Sequence, residues 1–319
     1  MAAAAEEAQA DQAQGLWPMH KLTLLPLPAK EASEAGEAGH VGQAATVVKA
    51  AKAAEGGLRK SRAALVLTGA LNPVHVGHVA SLVGARAALE ARGWEVVAGW
   101  ASPSHESYVK PKMTARRGLY LPTSVRVRCA ELAVADTDWI MVGKWESMGP
   151  HASWPDYPVV VASLQDHLRA AGRSDVTVFF VCGHDHYLNC GLRDGMRRRS
   201  AALSAPGLAV LPRDGSRPVR DKAAAGARGA VVGVEAKHAP PKVSSTEIRR
   251  LLRKGKQKQG DKVKNKDTDK DKNKDKGGGS GVGAGFGGGG AIVAAERGML
   301  HPAVARYLEG NFEPVAQTV

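Results

Sequence analysis

Short runs of branched apolar residues alternate with longer segments of helical period from residue 63 onward. Runs of this length predict buried strands, and the segments between them, with an apolar residue every three or four positions, predict amphipathic helices. The six predicted strands span residues 64–68, 95–101, 139–144, 176–182, 208–212 and 230–235. This order predicts an α/β fold, a doubly wound parallel sheet with helices on both faces and ligands at the carboxyl ends of the strands.

The helices expected between and after these strands cover residues 76–92, 124–134, 159–171 and 245–254, with a weaker one at 187–202. A further patterned segment lies near the end of the chain, where the apolar side chains are Leu300, Val304, Tyr307 and Leu308. Their spacing favours a short amphipathic helix that returns to the domain.

Composition divides the 319 residues into four parts. Residues 1–62 are rich in Ala, Glu, Gln and Gly and predict a mostly disordered, solvated arm, whereas 63–254 have the composition of a folded domain. Residues 255–290 form a Lys/Asp-rich and Gly-rich run that cannot bury enough apolar area to offset chain entropy. Because a patterned segment, 291–319, follows this run, we interpret the run as a disordered insertion within the fold.

Almost half of the formal charge of +13 lies in and just before that insertion, since residues 253–276 hold eleven basic and five acidic side chains. No aromatic residue interrupts this run, so a nucleic-acid site is not favoured. No apolar stretch is long enough to span a membrane, and the three cysteines form no CxxC pair. The first dozen residues are acidic, unlike a transit peptide. We therefore expect a cytoplasmic or nuclear protein, and a homo-oligomer is compatible with the sequence, which does not fix the oligomeric state.

The most informative segment is the turn after the first predicted strand, where Gly69 and Pro73 lead into a helix that carries His75 and His78. Glycine lets backbone amides approach a phosphate, and a helix N-terminus offers free N–H groups to an anion. Residues three apart share one face of a helix, so both imidazoles are expected to point into the same phosphate site.

A His-x-x-His pair has two other interpretations. It is often a chance surface pair, and it could be half of a metal site completed by His184 and His186. The position between a strand and a helix favours phosphate binding, and we predict no metal held by protein ligands alone.

A second helix entrance lies at Ser244, because Ser244 and Glu247 have the spacing of a capping box. Ser245 and Thr246 add hydroxyl donors there, and Arg249 adds a guanidinium that suits phosphate oxygens. The central prediction is that this entrance and the one after Pro73 converge on one triphosphate.

These motifs resemble the nucleotidylyltransferase superfamily, which has (H/T)xxH and SSTxxR signatures, and within it the eukaryotic nicotinamide/nicotinate mononucleotide adenylyltransferases. The resemblance covers residues 63–254 and about 298–313. Besides the two phosphate motifs, it rests on three groups of residues: Ser102 and Pro103 with Tyr108 and Lys110, the triplet Trp145, Glu146 and Ser147, and Gly183 with Asp185.

The resemblance implies a Rossmann-like fold and the transfer of AMP from ATP to a pyridine mononucleotide, with Mg²⁺ and release of pyrophosphate. It implies catalytic roles for His78, His75 and Arg249. It assigns ATP to Gly69, Ala70, His78, Gly183, Asp185, Ser245, Thr246 and Arg249, and it assigns the mononucleotide to Asn72, Lys110 and Trp145.

The sequence departs from the family pattern at Ala70, Leu71, His184 and Pro241, and His186 adds a titratable group to the same region. These changes fall mainly on the acceptor half of the predicted site. Two alternatives therefore stay open: a cytidylyltransferase or adenylyltransferase for another phosphorylated acceptor, and a non-catalytic nucleotide-binding scaffold.

Overall fold

A six-stranded, wholly parallel sheet forms the centre of the protein. The structure is a computed structural model that describes residues 15–22, 60–190, 192, 207–212, 218–222, 229–255 and 289–310. Its strands are β1 Arg62–Gly69, β2 Glu95–Pro103, β3 Ile140–Val142, β4 Val176–Gly183, β5 Gly207–Leu211 and β6 Val231–Gly233. Their spatial order is β3-β2-β1-β4-β5-β6, so the chain crosses from one half of the sheet to the other between β3 and β4.

Helices cover both faces of this sheet, as the near-continuous apolar strands require. The first six are α1 Val76–Glu90, α2 Glu106–Ala115, α3 Thr123–Ala133, α4 Trp145–Met148, α5 Tyr157–Ala170 and α6 His184–Asn189. A further helix, α7, occupies residues 245–255. It is followed by α8 Gly290–Glu296 and α9 Pro302–Gly310.

Alternate residues of each strand feed two separate cores. Leu65 of β1 belongs to the core under α1, α3, α8 and α9, whereas Val66 belongs to the core under α5. Both are fully buried. Burying a Val or Leu side chain stabilises a fold by about 1.5 to 3 kcal/mol, which explains why the strands are apolar on both faces.

The predicted α/β class and the six strands of the parallel sheet are confirmed. Val304 and Leu308 of α9 are buried, as the apolar spacing indicates. Helix α2 was not predicted because it contains Pro111, which normally breaks a helical pattern. Of the weak helix expected at 187–202, residues 187–189 belong to α6, which begins at His184, and nearly all of 191–206 lies outside the described residues.

Part of the predicted N-terminal arm belongs to the fold. Residues 15–22 lie against the sheet beside α5, and Trp17 is only 1% exposed. These eight residues therefore differ from the solvated arm that composition predicts. The remainder of residues 1–59, and the insertion apart from its first and last residues, lie outside the described part.

The strand order places a crevice between the carboxyl ends of β1 and β4. At this point the connections leave the sheet in opposite directions, and open α/β sheets bind ligands in such a crevice. Among the described residues, no helix is long and apolar enough to cross a membrane.

Candidate active site

The crevice between β1 and β4 opens into a cavity of about 1510 Å³. Single small-molecule sites usually measure about 300 to 1,000 Å³, so this cavity has room for two ligands side by side. Gly69 at the end of β1 and Gly183 at the end of β4 both line it. The cavity lining includes the N-termini of α1 and α7, which we call the phosphate end, and the rings of Tyr108 and Trp154, which we call the aromatic end.

The turn that follows β1 is held in place by hydrogen bonds to a second loop. The side-chain amide of Asn72, which is buried, donates to the Leu119 carbonyl at 2.7 Å and accepts from the Leu121 amide at 2.8 Å. Leu71 has a φ of 40°, a left-handed conformation that costs a branched residue of the order of 1 kcal/mol. The turn is therefore fixed by its surroundings before any ligand binds.

His75 and His78 meet at the N-terminus of α1, with ring centroids 3.7 Å apart. His75 is the N-cap residue, and its backbone amide donates to Nδ1 of His78 at 3.1 Å. Because Nδ1 of His78 accepts this bond, the neutral ring carries its proton on Nε2. His78 thus presents an N–H donor to the cavity that it lines.

Both imidazoles are uncharged near neutral pH. Burial, together with the Arg249 charge, lowers the pKa of His75 to about 4. Burial and the neighbouring His75 hold the pKa of His78 well below the usual range. Nδ1 of His75 is buried and has no hydrogen-bond partner among the residues that the structure describes. Buried polar atoms of this kind are costly unless a ligand or water satisfies them, which supports a polar ligand here.

The depressed pKa of His75 makes a pH-dependent contribution to stability. Folding favours the neutral ring, so the contribution is complete above pH 6.5 and is lost as the pH falls towards 4. The loss should reach about 3 kcal/mol, from 1.36 kcal/mol per pKa unit. Urea unfolding across this window should show a steeper loss for the wild type than for His75→Asn, which keeps an N-cap side chain. If the free energy of unfolding fell equally with pH in both proteins, His75 would not be the source of the pH dependence.

Helix α7 brings the second phosphate motif to the same place. Arg249 donates from Nη1 to the Asn72 carbonyl at 2.8 Å and from Nη2 to Oγ1 of Thr246 at 2.9 Å. The Glu247 amide donates to Oγ of Ser244 at 3.2 Å, which confirms Ser244 as the cap. Oγ of Ser245 lies 3.4 Å from the Pro73 carbonyl. The predicted convergence of the two helix entrances is therefore present.

A group of cations surrounds this junction. Arg249 is buried, and burial together with the charges of Arg116 and Arg253 lowers its pKa. Arg116 lines the cavity with Arg249. Like charges repel one another in the free protein, so a polyanion bound between them would gain the attraction of all of them.

The aromatic end of the cavity is formed by Tyr108 and Trp154. The rings of Tyr108 and Trp154 lie 5.1 Å apart, and the Trp154 amide donates to Oγ of Ser107 at 3.0 Å. Lys112 donates to the Tyr108 hydroxyl at 2.9 Å. Trp154 is 42% exposed, so a wide apolar ring is available at the cavity wall.

Glu146 is a buried carboxyl at this end. Oγ of Ser102 donates to it at 3.1 Å, and burial raises its pKa to about 7. The Arg126 charge and bonds from Ser102 and Ser104 oppose this rise without cancelling it. The group is therefore divided between its neutral and charged forms at neutral pH.

Comparison with known proteins agrees with this geometry. A family model described as cytidylyltransferase-like matches residues 66–251, which is more than half of the chain and runs from within β1 to within α7. The chain belongs to the cytidylyltransferase-like family.

Relatives of this cytidylyltransferase-like chain carry the name nicotinamide/nicotinic acid mononucleotide adenylyltransferase. The protein of that name from Oryza sativa is 31% identical over 134 residues, 41% of this chain and 50% of its own length. The form 2 protein from Caenorhabditis elegans is 27% identical over 203 residues, 60% of this chain and 87% of its own. A form 2 protein from Danio rerio is 35% identical over 88 residues, 27% of either chain. The chain thus spans half the length of the rice relative that it matches.

Most sequence-predicted site residues of the cytidylyltransferase-like domain line the cavity. They are Gly69, Ala70, Asn72, His75, His78, Gly183, Ser245, Thr246 and Arg249. The side-chain amide of Asn72 is bonded to the backbone of Leu119 and Leu121, so this residue shapes the turn.

Three predicted residues do not line the cavity: Lys110, Trp145 and Asp185. Lys110 lies on the exposed side of α2, while Lys112 lies in the lining. Trp145 packs against Trp17 and His151, with ring centroids 6.4 Å and 4.3 Å away. Asp185 is half-buried on α6.

The sequence did not predict that Trp154, Tyr108 as its aromatic partner, and Arg116 line the cavity. A Trp-Pro-Asp-Tyr run at 154–157 leads into α5 and was a usable signal, because a tryptophan in a polar loop has little reason to be buried. Trp145 was assigned to the mononucleotide on the family resemblance alone.

Proposed function

We propose that the protein transfers AMP from ATP to a pyridine mononucleotide, which yields a dinucleotide and pyrophosphate. The single observation that carries the proposal is the meeting of two helix N-termini at one cavity, with Arg249 bonded to the turn that precedes His75. The names of the rice, nematode and fish relatives support the choice of reaction.

The chemistry requires alignment and charge neutralisation more than proton transfer. An oxygen of the acceptor phosphate, anionic at neutral pH, attacks the α-phosphorus of ATP. The new P–O bond forms as the bond from the α-phosphorus to the bridging oxygen breaks, and pyrophosphate leaves with that oxygen. Because the nucleophile is already ionised, positioning and electrostatic stabilisation account for the rate.

The phosphate end of the cavity suits this step. His78 donates from Nε2 to an α- or β-phosphate oxygen, and the stacked ring of His75 holds that imidazole in place. Arg249, with the hydroxyls of Ser245 and Thr246, binds the departing phosphates. Neutral imidazoles let the site accept the triphosphate by donated hydrogen bonds, while the arginines supply the positive charge.

The aromatic end of the cavity suits the acceptor. Trp154 and Tyr108 offer flat rings for a pyridine base, and Lys112 offers an ammonium for the single phosphate. These assignments replace Trp145 and Lys110 in the proposal, because those two side chains lie outside the cavity lining.

Mg²⁺ enters the proposal as a companion of ATP. In the described part of the chain no group of three or more His, Cys, Asp or Glu side chains is placed to hold a metal. Mg²⁺ binds chiefly through phosphate oxygens and water, with one or two carboxylates, and Asp156 is a carboxylate of the cavity lining. When bound, the metal would neutralise phosphate charge.

Substitution of Trp154 tests its role as the platform for the acceptor base. Trp154→Ala should raise the KM for the mononucleotide by about tenfold, since loss of base stacking costs about 1 to 3 kcal/mol, and should leave the KM for ATP nearly unchanged. Steady-state kinetics with each substrate varied would measure this. Equal effects on both KM values would argue against Trp154 as the acceptor platform.

Pyrophosphate release with ATP and Mg²⁺ tests the reaction itself, across nicotinamide mononucleotide, nicotinate mononucleotide and other phosphorylated acceptors. The proposal expects turnover with at least one of the two mononucleotides. A preference for CTP over ATP would indicate a cytidylyltransferase. An ATP-dependent rise in Tm without turnover of any acceptor would indicate a nucleotide-binding scaffold.

A further inference from the structure

The described residues 15–22, which we call the N-terminal clasp, are joined to the domain by partly buried hydrogen bonds. Nε1 of Trp17 donates to Oγ of Ser163 on α5 at 3.0 Å. Nε1 of Trp100, on β2, donates to the Pro18 carbonyl at 2.9 Å. Nζ of Lys21 donates to the carbonyls of Val134 and Ile140, at 3.0 and 3.1 Å. The clasp therefore joins α3, β2, β3 and α5.

The indole of Trp17 packs against the turn between β3 and α4. A Cβ added to Gly143 would clash with Cζ3 of Trp17, so only glycine allows this approach. The Lys144 amide donates to the Leu16 carbonyl at 2.7 Å. The ring of Trp145 stacks on Trp17 with 14° between their planes. Three consecutive residues of the turn thus contact the clasp.

The same turn continues directly into the aromatic and acidic end of the cavity. Glu146 follows Trp145 and lines the cavity. The Trp145 carbonyl is bound to Nε2 of His151 at 2.8 Å, and this bond fixes the loop that leads to Trp154. A displacement of the turn would therefore move both Glu146 and Trp154.

The phosphate end of the cavity has no such link to the clasp. His75 and His78 are held by the turn after β1, and Arg249 is held by α7. None of the hydrogen bonds of the clasp reaches these elements among the described residues. The contacts thus couple the clasp to one end of the cavity.

We propose that the N-terminal clasp positions the acceptor end of the active site, with Trp17 as the positioning residue that acts through the Gly143–Trp145 turn. This rests on the proposed function for the identity of the acceptor. Residues 15–22 would then contribute to acceptor binding and leave ATP binding unaffected.

Kinetics of the full-length protein provide the first test. Trp17→Ala should raise the KM for the mononucleotide by about tenfold or more, since small misplacements of a site have effects of that order, while the KM for ATP changes less than about twofold. Trp17→Phe keeps a ring against Trp145 and should restore most of the wild-type value. His20→Ala, an exposed position in the same segment, is the matched control and should have no effect.

A double-substitution cycle examines the route through Trp145. If Trp17 acts through the stacked ring, the effects of Trp17→Ala and Trp145→Ala on kcat/KM for the mononucleotide should be non-additive. Additive effects would overturn this route. An equal loss for both substrates, accompanied only by a lower Tm, would reduce the clasp to a stabilising role and overturn the proposal.

Hydrogen exchange supplies a readout that does not depend on activity. In Trp17→Ala the Lys144 amide should exchange faster, because its acceptor is the Leu16 carbonyl, while amides at the N-terminal turn of α1 should keep the wild-type rate. Unchanged exchange at Lys144 would overturn the proposal whatever the reaction proves to be. Absence of wild-type turnover, with faster exchange at Lys144 in the variant, would instead contradict the proposed function alone.

Discussion

Replacement of His78 with alanine should lower kcat by a factor of about a hundred or more, the usual cost of removing one preorganised donor to a charge that develops in the transition state. The donor is Nε2–H, whose protonation follows from the bond between the His75 amide and Nδ1 of His78. Single-turnover assays with saturating ATP would measure the chemical step directly.

A second substitution of His78 tests whether the hydrogen-bond donor itself accounts for the activity. His78→Asn shortens the side chain but retains an amide donor, so it should recover part of the activity that His78→Ala loses. His301→Ala, which removes an imidazole outside the cavity lining, is the control and should leave kcat unchanged. Retention of full activity by His78→Ala would remove His78 from the proposed role.

Much of the fold follows from local pattern. Each strand is a short apolar run between longer helical segments, and both cores are built from alternate residues of the same strands. Parallel strands joined by helices leave few topologies, because crossover connections have a fixed hand. The elements that escaped prediction are those for which tertiary contacts override the local signal, such as α2 with its internal Pro111.

The N-terminal clasp shows why composition alone misleads. Residues 1–62 contain one tryptophan among many alanines and glutamates, and such a composition has too little apolar surface to fold by itself. Trp17 is buried only because Gly143 leaves a space and Ser163 supplies an acceptor, and both lie more than a hundred residues away in the sequence. No local pattern encodes that pairing.

The two ends of the candidate site differ in how far sequence could predict them. The phosphate end depends on helix N-termini, whose capping residues and charges lie within a few positions of one another. His75, His78, Ser244 and Arg249 are accordingly found where the motifs place them. The acceptor end depends on which side of α2 and which part of a loop face the cavity. Lys112 lines the cavity and Lys110 does not, and Trp154 lines it and Trp145 does not.

Arg249→Ala should lower kcat/KM for ATP by a factor of about a hundred to a thousand, because it removes the cation at the junction of both phosphate motifs. It should also lower the free energy of unfolding by about 2 kcal/mol, since the buried Asn72 carbonyl would lose its donor. Arg249→Lys keeps the charge but not the two-pronged geometry, so it should retain stability better than activity.

The neighbouring arginine separates these site-specific effects from general electrostatics. Arg250 carries the same charge on the same helix, but its side chain is 63% exposed and it does not line the cavity. Arg250→Ala should therefore change kcat/KM by less than about twofold, the scale of an exposed charge. If Arg249→Ala and Arg250→Ala reduced activity equally, the positive field of α7 would account for ATP binding. The bonds from Arg249 to Asn72 and Thr246 would then be structural only. If only Arg249→Ala is impaired, and its loss for ATP exceeds its loss for the mononucleotide, the guanidinium acts where the two helix entrances meet.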